Sequence, residues 1–375
     1  MSMKIAAVQM VSGPRPDENL DRAEARVAEA AAQGAELVAL PEYFCLMGLR
    51  DRDKLAIAEP DGDGPIQRRL AQIAARHRVW LVAGSLPLAV PGDADHATNT
   101  TLVFDPEGRR AGRYDKIHLF RFDDGERRHD EAATLRAGHA PLALDITARD
   151  GRAHRTGVTI CYDLRFPELY RQLATPPCDL MVVTAAFTWP TGQAHWELLL
   201  RARAVENQCW LLASAQGGLH ENGRRTWGHS MVIDPWGQIV AELPEGEGVV
   251  VATLDDQRTA EIPPHVRIVA ASIEPEEGAK TRRRRGSIRQ GIQGPGGGEA
   301  AATGECPGGA GIRRSGREHF NAGAVAGRRA GIGERRRAAP GVDGCSATAG
   351  GDCNGIAGRD GEVGVVPRAG GVSAG

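Results

Sequence analysis

Residues 157–169 read Gly157-Val-Thr-Ile-Cys-Tyr-Asp-Leu-Arg-Phe-Pro-Glu-Leu169, and this stretch decides the fold class. Val158, Thr159 and Ile160 have the β-branched, apolar character of a buried strand. Pro167 opens an amphipathic segment, Pro167–Leu173, suited to a helix start. Cys161 stands at the junction. A strand passing into a helix within a few residues marks a chain of alternating elements. A nucleophile placed there is exposed at the sheet edge, beside backbone N–H groups able to stabilise an oxyanion. Taken alone, such a cysteine is more often a buried structural residue.

Working outward, Leu180–Thr184 and Trp210–Ala215 read as further short buried strands, with a helix over Gln193–Asn207 between them. Ser230–Asp234, Ile239–Leu243 and Val249–Leu254 follow as hairpin-like strands around a Pro235-Trp236-Gly237 turn. Upstream, Lys4–Met10, Leu37–Leu40, Trp80–Leu86 and Thr100–Phe104 are predicted strands. Asn19–Gln33 and Pro65–His77 are predicted helices, the first aligning Leu20, Ala23, Val27, Ala30 and Ala31 on one face. The series predicts an α/β domain over residues 1–255, its sheets covered by helices. No internal repeat suggests a solenoid.

The chain changes character after that domain. Every Trp and Tyr precedes residue 240, and no leucine follows Leu254. Residues 278–375 hold 27 of the 48 glycines, with 16 Lys+Arg against 8 Asp+Glu. Such a segment cannot bury enough apolar surface to offset its ordering entropy, so it is expected to be a disordered Gly/Arg/Ala-rich tail. Residues 256–277 carry too few signals to assign. The net charge of −2 suggests neither nucleic acid nor a membrane as partner. No apolar run approaches the ~20 residues that span a bilayer, and no secretory signal is visible, so a cytoplasmic protein is expected. The seven cysteines (Cys45, Cys161, Cys178, Cys209, Cys306, Cys345 and Cys353) form no C-x-x-C pair and point to neither a zinc site nor a disulfide framework.

Two more polar residues stand at strand ends, the second next to apolar Ile117 and Leu119. Glu42 follows Leu37-Val-Ala-Leu-Pro, where a carboxyl in a partly apolar setting has a raised pKa and suits a general base. Lys116, in Gly112-Arg-Tyr-Asp-Lys-Ile-His-Leu-Phe120, can hold positive charge against a developing oxyanion. In isolation Glu42 reads better as an exposed loop glutamate, and the plain reading of Lys116 is an ordinary surface charge. His118 could pair with Cys161 as in thiol proteases, although a histidine in an apolar alternation is more often structural.

Leu-Pro-Glu-Tyr-Phe, Tyr-Asp-Lys-Ile-His-Leu-Phe and Cys-Tyr-Asp-Leu-Arg-Phe-Pro-Glu-Leu-Tyr together resemble the three signature regions of the nitrilase, or carbon–nitrogen hydrolase, superfamily. Order and spacing match, and the resemblance runs from about Lys4 to Leu254. It implies a four-layer α-β-β-α sandwich and a Glu–Lys–Cys triad of Glu42, Lys116 and Cys161. It further implies a supporting Glu131 near the lysine, the N–H of Tyr162 in the oxyanion hole, no metal or organic cofactor, and a homodimer or higher homo-oligomer. The stretches Ala185–Cys209 and Trp227–Gly237 resemble the Nit branch. Within that branch the resemblance implies hydrolysis of deaminated glutathione to 2-oxoglutarate and cysteinylglycine. Alternatives are omega-amidase action on 2-oxoglutaramate and hydrolysis of N-carbamoyl amino acids, with a nitrile least favoured.

A small anionic amide calls for cationic contacts. Arg165 is the first candidate, weighed evenly against a structural ion pair at the helix start. Arg127 and Arg128 stand behind it, though a solvated loop suits them better. Phe187 and Thr188 are expected to line the pocket, and His195 and Trp196 to pack. An Arg-rich tail binding nucleic acid is the reading from another class, weakened by the lack of aromatic interleaving. Family sequences follow the last strand with a proline and a His-Arg-Arg-like end, whereas this chain continues Ile262-Pro-Pro-His-Val-Arg-Ile-Val-Ala-Ala. Arg267-Ile-Val-Ala can be encoded so that a neighbouring frame reads His-Arg-Arg. A frame change near residues 261–266 is therefore the expectation, and the gene's nucleotide sequence tests it.

Overall fold

The computed structural model describes residues 2–123 and 128–261. The Gly/Arg/Ala-rich tail, residues 262–277 of the unassigned segment, and Arg127 lie outside the described residues. So does the side chain of Arg128.

Two sheets form the centre. The first has eight strands, six of them in the lateral order Gly248–Asp255, Ser2–Gln9, Leu37–Ala39, Trp80–Val82, Asp93–Phe104 and Leu86–Val90. Arg110–Asp115 and Leu135–Arg136 also pair with Asp93–Phe104. The second sheet runs Leu142–Thr147, Ala153–Ile160, Leu180–Ala185, Trp210–Ala215, Ser230–Ile233 and Ile239–Leu243. The central pairs of both are parallel. Parallel neighbours need long crossovers. The helices Pro16–Ala32, Pro65–His77, Pro167–Leu173 and Trp189–Asn207 provide them.

Strand alternation explains the layering. Ile5, Ala7, Leu37 and Ala39 from the first sheet pack with Val158, Ile160, Val182 and Leu212 from the second. Their neighbours Ala6 and Val8 face Leu20, Ala23, Val27, Leu70 and Ile73 of the first pair of helices. Met181, Val183, Leu211 and Ala213 face Tyr170, Trp196 and Leu200 of the second pair. A strand buried on both faces must be apolar throughout, as Lys4–Met10 nearly is. The layers are therefore helix, sheet, sheet, helix: the α-β-β-α sandwich. Truncating a fully buried leucine such as Leu70 costs about 2–5 kcal/mol in such a core.

Several boundaries differ from the sequence reading. Two helices start earlier than expected, at Pro16 and Trp189, because a proline fits the first turn, where its missing N–H costs nothing. Trp80–Leu86 is not one strand but ends at Val82. There Gly84 turns at φ +53°, and a Cβ on it would lie 2.2 Å from the Pro41 carbonyl oxygen. Thr100–Phe104 extends back to Asp93. Leu142–Thr147, whose alternation is weak, is a strand the sequence reading did not assign. Beyond Asp255 the chain adds one short helix, Asp256–Ala260.

Candidate active site

Cys161 ends the Ala153–Ile160 strand and opens the 3₁₀ turn Cys161–Arg165 with φ +48°. A non-glycine residue held left-handed is strained, and such strain persists where the surroundings over-determine it. Asp163 supplies that restraint. Its Oδ2 accepts from the Ile160 N–H at 3.0 Å and the Tyr114 hydroxyl at 2.6 Å. Its Oδ1 accepts from the His118 N–H at 3.0 Å and bonds His118 Nδ1 at 2.8 Å. His118 also stacks on Phe166, the ring centroids 3.6 Å apart. His118 is thus engaged by Asp163 and Phe166, and the side chain beside Cys161 placed to exchange a proton with it is a carboxylate.

That carboxylate is Glu42, which follows the Leu37–Ala39 strand and is 1% exposed. Its Oε1 accepts from Lys116 Nζ at 2.9 Å and from Asn99 Nδ2 at 2.9 Å. Its Oε2 accepts from the Ala186 N–H at 3.0 Å, and the carboxyl stands close enough to the Cys161 thiol for each to bear on the other's ionisation. Lys116 follows the Arg110–Asp115 strand and is equally buried. Its Nζ donates to Glu131 as well, at 3.1 Å to Oε1 and 2.9 Å to Oε2. Glu131 is fixed in turn by the Tyr43 hydroxyl on Oε1 at 2.8 Å and the Phe120 N–H on Oε2 at 2.7 Å.

These contacts set the proton inventory. Burial holds the Glu42 carboxyl above the usual carboxylate range, against the pull of Lys116 and with help from the charge of Glu131. Burial works against the Lys116 ammonium, but Glu131 and Glu42 outweigh it and keep lysine charged. Burial also opposes ionisation of Glu131, yet Lys116 and the Phe120 N–H bring its pKa below the ordinary value. The Cys161 thiol is pushed well up, by burial first and then by the charge of Glu42. Burial therefore disfavours a free thiolate at Cys161, and Glu42 is the neighbouring group placed to exchange a proton with it.

The group lies at the base of an open cleft of about 670 Å³, lined by Glu42, Glu131 and Cys161. Tyr162, Arg165, Phe187 and Thr188 line it too. Arg165 lies 5.5 Å over the Phe187 ring and 5.7 Å over the Tyr162 ring, and its guanidinium nitrogens approach His195 Nδ1 at 3.4 Å. Among the described residues it bonds no carboxylate, so the structural ion pair weighed for it is not formed there. Trp196 is buried, donating to the His229 carbonyl at 2.8 Å, and serves packing.

Sequence reasoning missed Tyr43, Asn99 and Asp163. Tyr43 is the neighbour of Glu42 inside a quoted signature. Asn99 is a polar residue inside a strand that begins at Asp93, whereas the reading began it at Thr100, one residue past Asn99.

A sequence model of the carbon–nitrogen hydrolase family matches residues 4–264, more than half of the chain. A deaminated glutathione amidase of a Synechocystis strain is 41% identical over 259 residues, covering 68% of this chain and 93% of that protein. An omega-amidase of Xenopus tropicalis is 36% identical over 261 residues, covering 69% and 91%. Among solved structures, the Saccharomyces cerevisiae member of branch 10 of the nitrilase superfamily superposes with a TM-score of 0.64 at 30% identity, covering 72% of this chain and 96% of that one. An amidase from Nesterenkonia, carrying acrylamide added at its active-site cysteine, superposes with a TM-score of 0.59 at 28% identity, covering 70% and 98%. The chain belongs to the carbon–nitrogen hydrolase family of the nitrilase superfamily and is a hydrolase acting on amides.

Proposed function

We propose that this enzyme hydrolyses deaminated glutathione to 2-oxoglutarate and cysteinylglycine through a thioester on Cys161. The observation that carries the reading is the Glu42 carboxylate, shared between the Cys161 thiol and Lys116 Nζ at the base of the cleft. The substrate assignment draws on the relatives named for that reaction.

Glu42 takes the thiol proton as Sγ attacks the amide carbonyl carbon. The carbonyl oxygen becomes an oxyanion, held by Lys116 and by the Tyr162 N–H in the first turn of the helix, where N–H groups lack carbonyl partners. As the C–N bond breaks, Glu42 gives its proton to the departing amine, and the acyl group stays on sulfur. Glu42 next deprotonates a water that attacks the thioester, and the proton returns to the thiol. Glu131 acts through Lys116, keeping the ammonium charged and placed. Arg165 pairs with the carboxylate of the 2-oxo acid portion, while Phe187 and Thr188 hold its chain. The homo-oligomer implied by the family resemblance is carried forward, to be checked by light scattering.

The test compares hydrolysis of deaminated glutathione and 2-oxoglutaramate, with Cys161→Ala as control. Faster turnover of the first, lost in the variant, supports the proposal. Preference for 2-oxoglutaramate keeps the mechanism and makes the enzyme an omega-amidase. Turnover of neither by folded protein rejects both substrates.

A further inference from the structure

Beside the active-site cleft lies a niche of about 30 Å³ whose walls include Lys54, Arg224, Arg50 and Asp51. Tyr43, Met47 and Arg224 line both spaces, so the niche adjoins the cleft. A void of this size admits about two water-sized groups, which is what the two oxygens of a carboxylate need.

Its chemistry is cationic. Lys54, on the short Asp53–Ala56 helix, holds its ammonium over the Tyr43 ring at 5.5 Å and makes no hydrogen bond or ion pair with another described residue. Burial draws its pKa down, with Glu131 and Asp51 offsetting this only in part. An anion in the niche would favour the charged lysine. Arg224 is aimed by Asp51, at 2.8 Å. Its turn is tied to the opposite wall through Asn222, which donates to the Gly48 carbonyl at 2.7 Å. Arg50 is engaged by Asp53, at 3.3 Å. Among the described residues of these walls, Asp51 is the one carboxylate, set against three cations.

We propose that Lys54 and Arg224 form a second carboxylate subsite, which receives the terminal carboxylate of the leaving half of the substrate. This rests on the deaminated-glutathione reading: cysteinylglycine carries a glycine carboxylate, whereas the ammonia released from 2-oxoglutaramate has nothing to place there. The subsite is distinct from Arg165, which stands on the Cys161–Arg165 turn beside the nucleophile.

The test is a cycle of substrate and protein changes. Deaminated glutathione and its C-terminal glycine amide are compared on wild type, Lys54→Met and Arg224→Gln, with 2-oxoglutaramate as the small reference. On wild type, amidation is expected to raise KM about ten- to hundredfold, the scale of a charge-assisted contact, with kcat little changed. In either variant that penalty shrinks to about threefold or less. A merely structural role would weaken both substrates alike and leave the penalty intact. An undiminished penalty in both folded variants, or none in wild type, overturns the subsite while leaving the amidase reading standing. Turnover of 2-oxoglutaramate but not deaminated glutathione by wild type overturns the substrate reading, and the subsite with it.

Discussion

Replacing Glu131 by glutamine removes one of the two negative charges on Lys116 while keeping the side chain's size. In the native site Nζ bonds both oxygens of Glu131 and one of Glu42, all within 3.1 Å. A glutamine must place its NH₂ on one end. The Phe120 N–H is an obligate donor to Oε2, so the amide oxygen takes that end and the NH₂ turns toward Tyr43 and Lys116. Lys116 then loses a bond and a countercharge, and moves toward Glu42. Loss of one aligned oxyanion donor costs about 10²–10³ in kcat. The fold loses about 1–3 kcal/mol, since the Phe120 bond survives.

The pH dependence has a defined sign. Burial raises the Glu42 carboxyl, and the charge of Glu131 adds to it. Because Glu42 must be ionised to act as base, the acid limb of kcat/KM lies above the ordinary carboxylate range. Glu131→Gln removes one cause of the rise, so the limb moves to lower pH. Stability responds separately. Burial disfavours the Glu131 charge, but Lys116 and the Phe120 N–H leave its folded pKa lowered. Its contribution is therefore present above the unfolded carboxylate value and lost as pH falls through the folded one. The variant's stability curve should be flatter on the acid side. Steady-state kinetics across pH, paired with thermal melts, measure both. A folded Glu131→Gln with kcat within about threefold of wild type and an unmoved acid limb refutes the reasoning.

Asn99→Ala strips Glu42 Oε1 of one of its two donors and should lower kcat about tenfold while costing about 1–3 kcal/mol of stability in thermal melts. Asp163→Asn should cost about 2–4 kcal/mol by denaturant titration, because each of its oxygens accepts a backbone N–H and an NH₂ on either end meets a donor. Cys161→Gly and Cys161→Ala should both be inactive, with the glycine variant about 1 kcal/mol more stable because φ +48° strains any Cβ; equal stability argues that the turn relaxes. Gly84→Ala should cost about 2–4 kcal/mol and reduce activity, since its Cβ meets the Pro41 carbonyl beside Glu42.

The legible parts of this protein were those written in local pattern. Cys161 and Glu42 each end an apolar run and Lys116 ends a strand after a turn, but it was the three segments taken together that singled these residues out. Burial of Ile5 and Ala6 on opposite faces likewise followed from an unbroken apolar strand. What stayed hidden depends on pairings across the fold. Asn99 meets Glu42 from 57 residues away, and Tyr43 meets Glu131 from 88. Asp163 gave no sign that it binds His118 from 45 residues off. Helix starts at Pro16 and Trp189 were placed late, because the apolar periodicity used to find the helices begins only after the first turn, where proline sits.

The central claim is that Cys161 carries the acyl group of deaminated glutathione. The most direct measurement is acid quench of the enzyme during turnover, followed by peptide mass spectrometry. The account predicts a 2-oxoglutaryl thioester on the peptide bearing Cys161, discharged by hydroxylamine and missing in Cys161→Ala, which releases no cysteinylglycine. Undiminished release of cysteinylglycine by Cys161→Ala, with no adduct on the wild-type peptide, would contradict it.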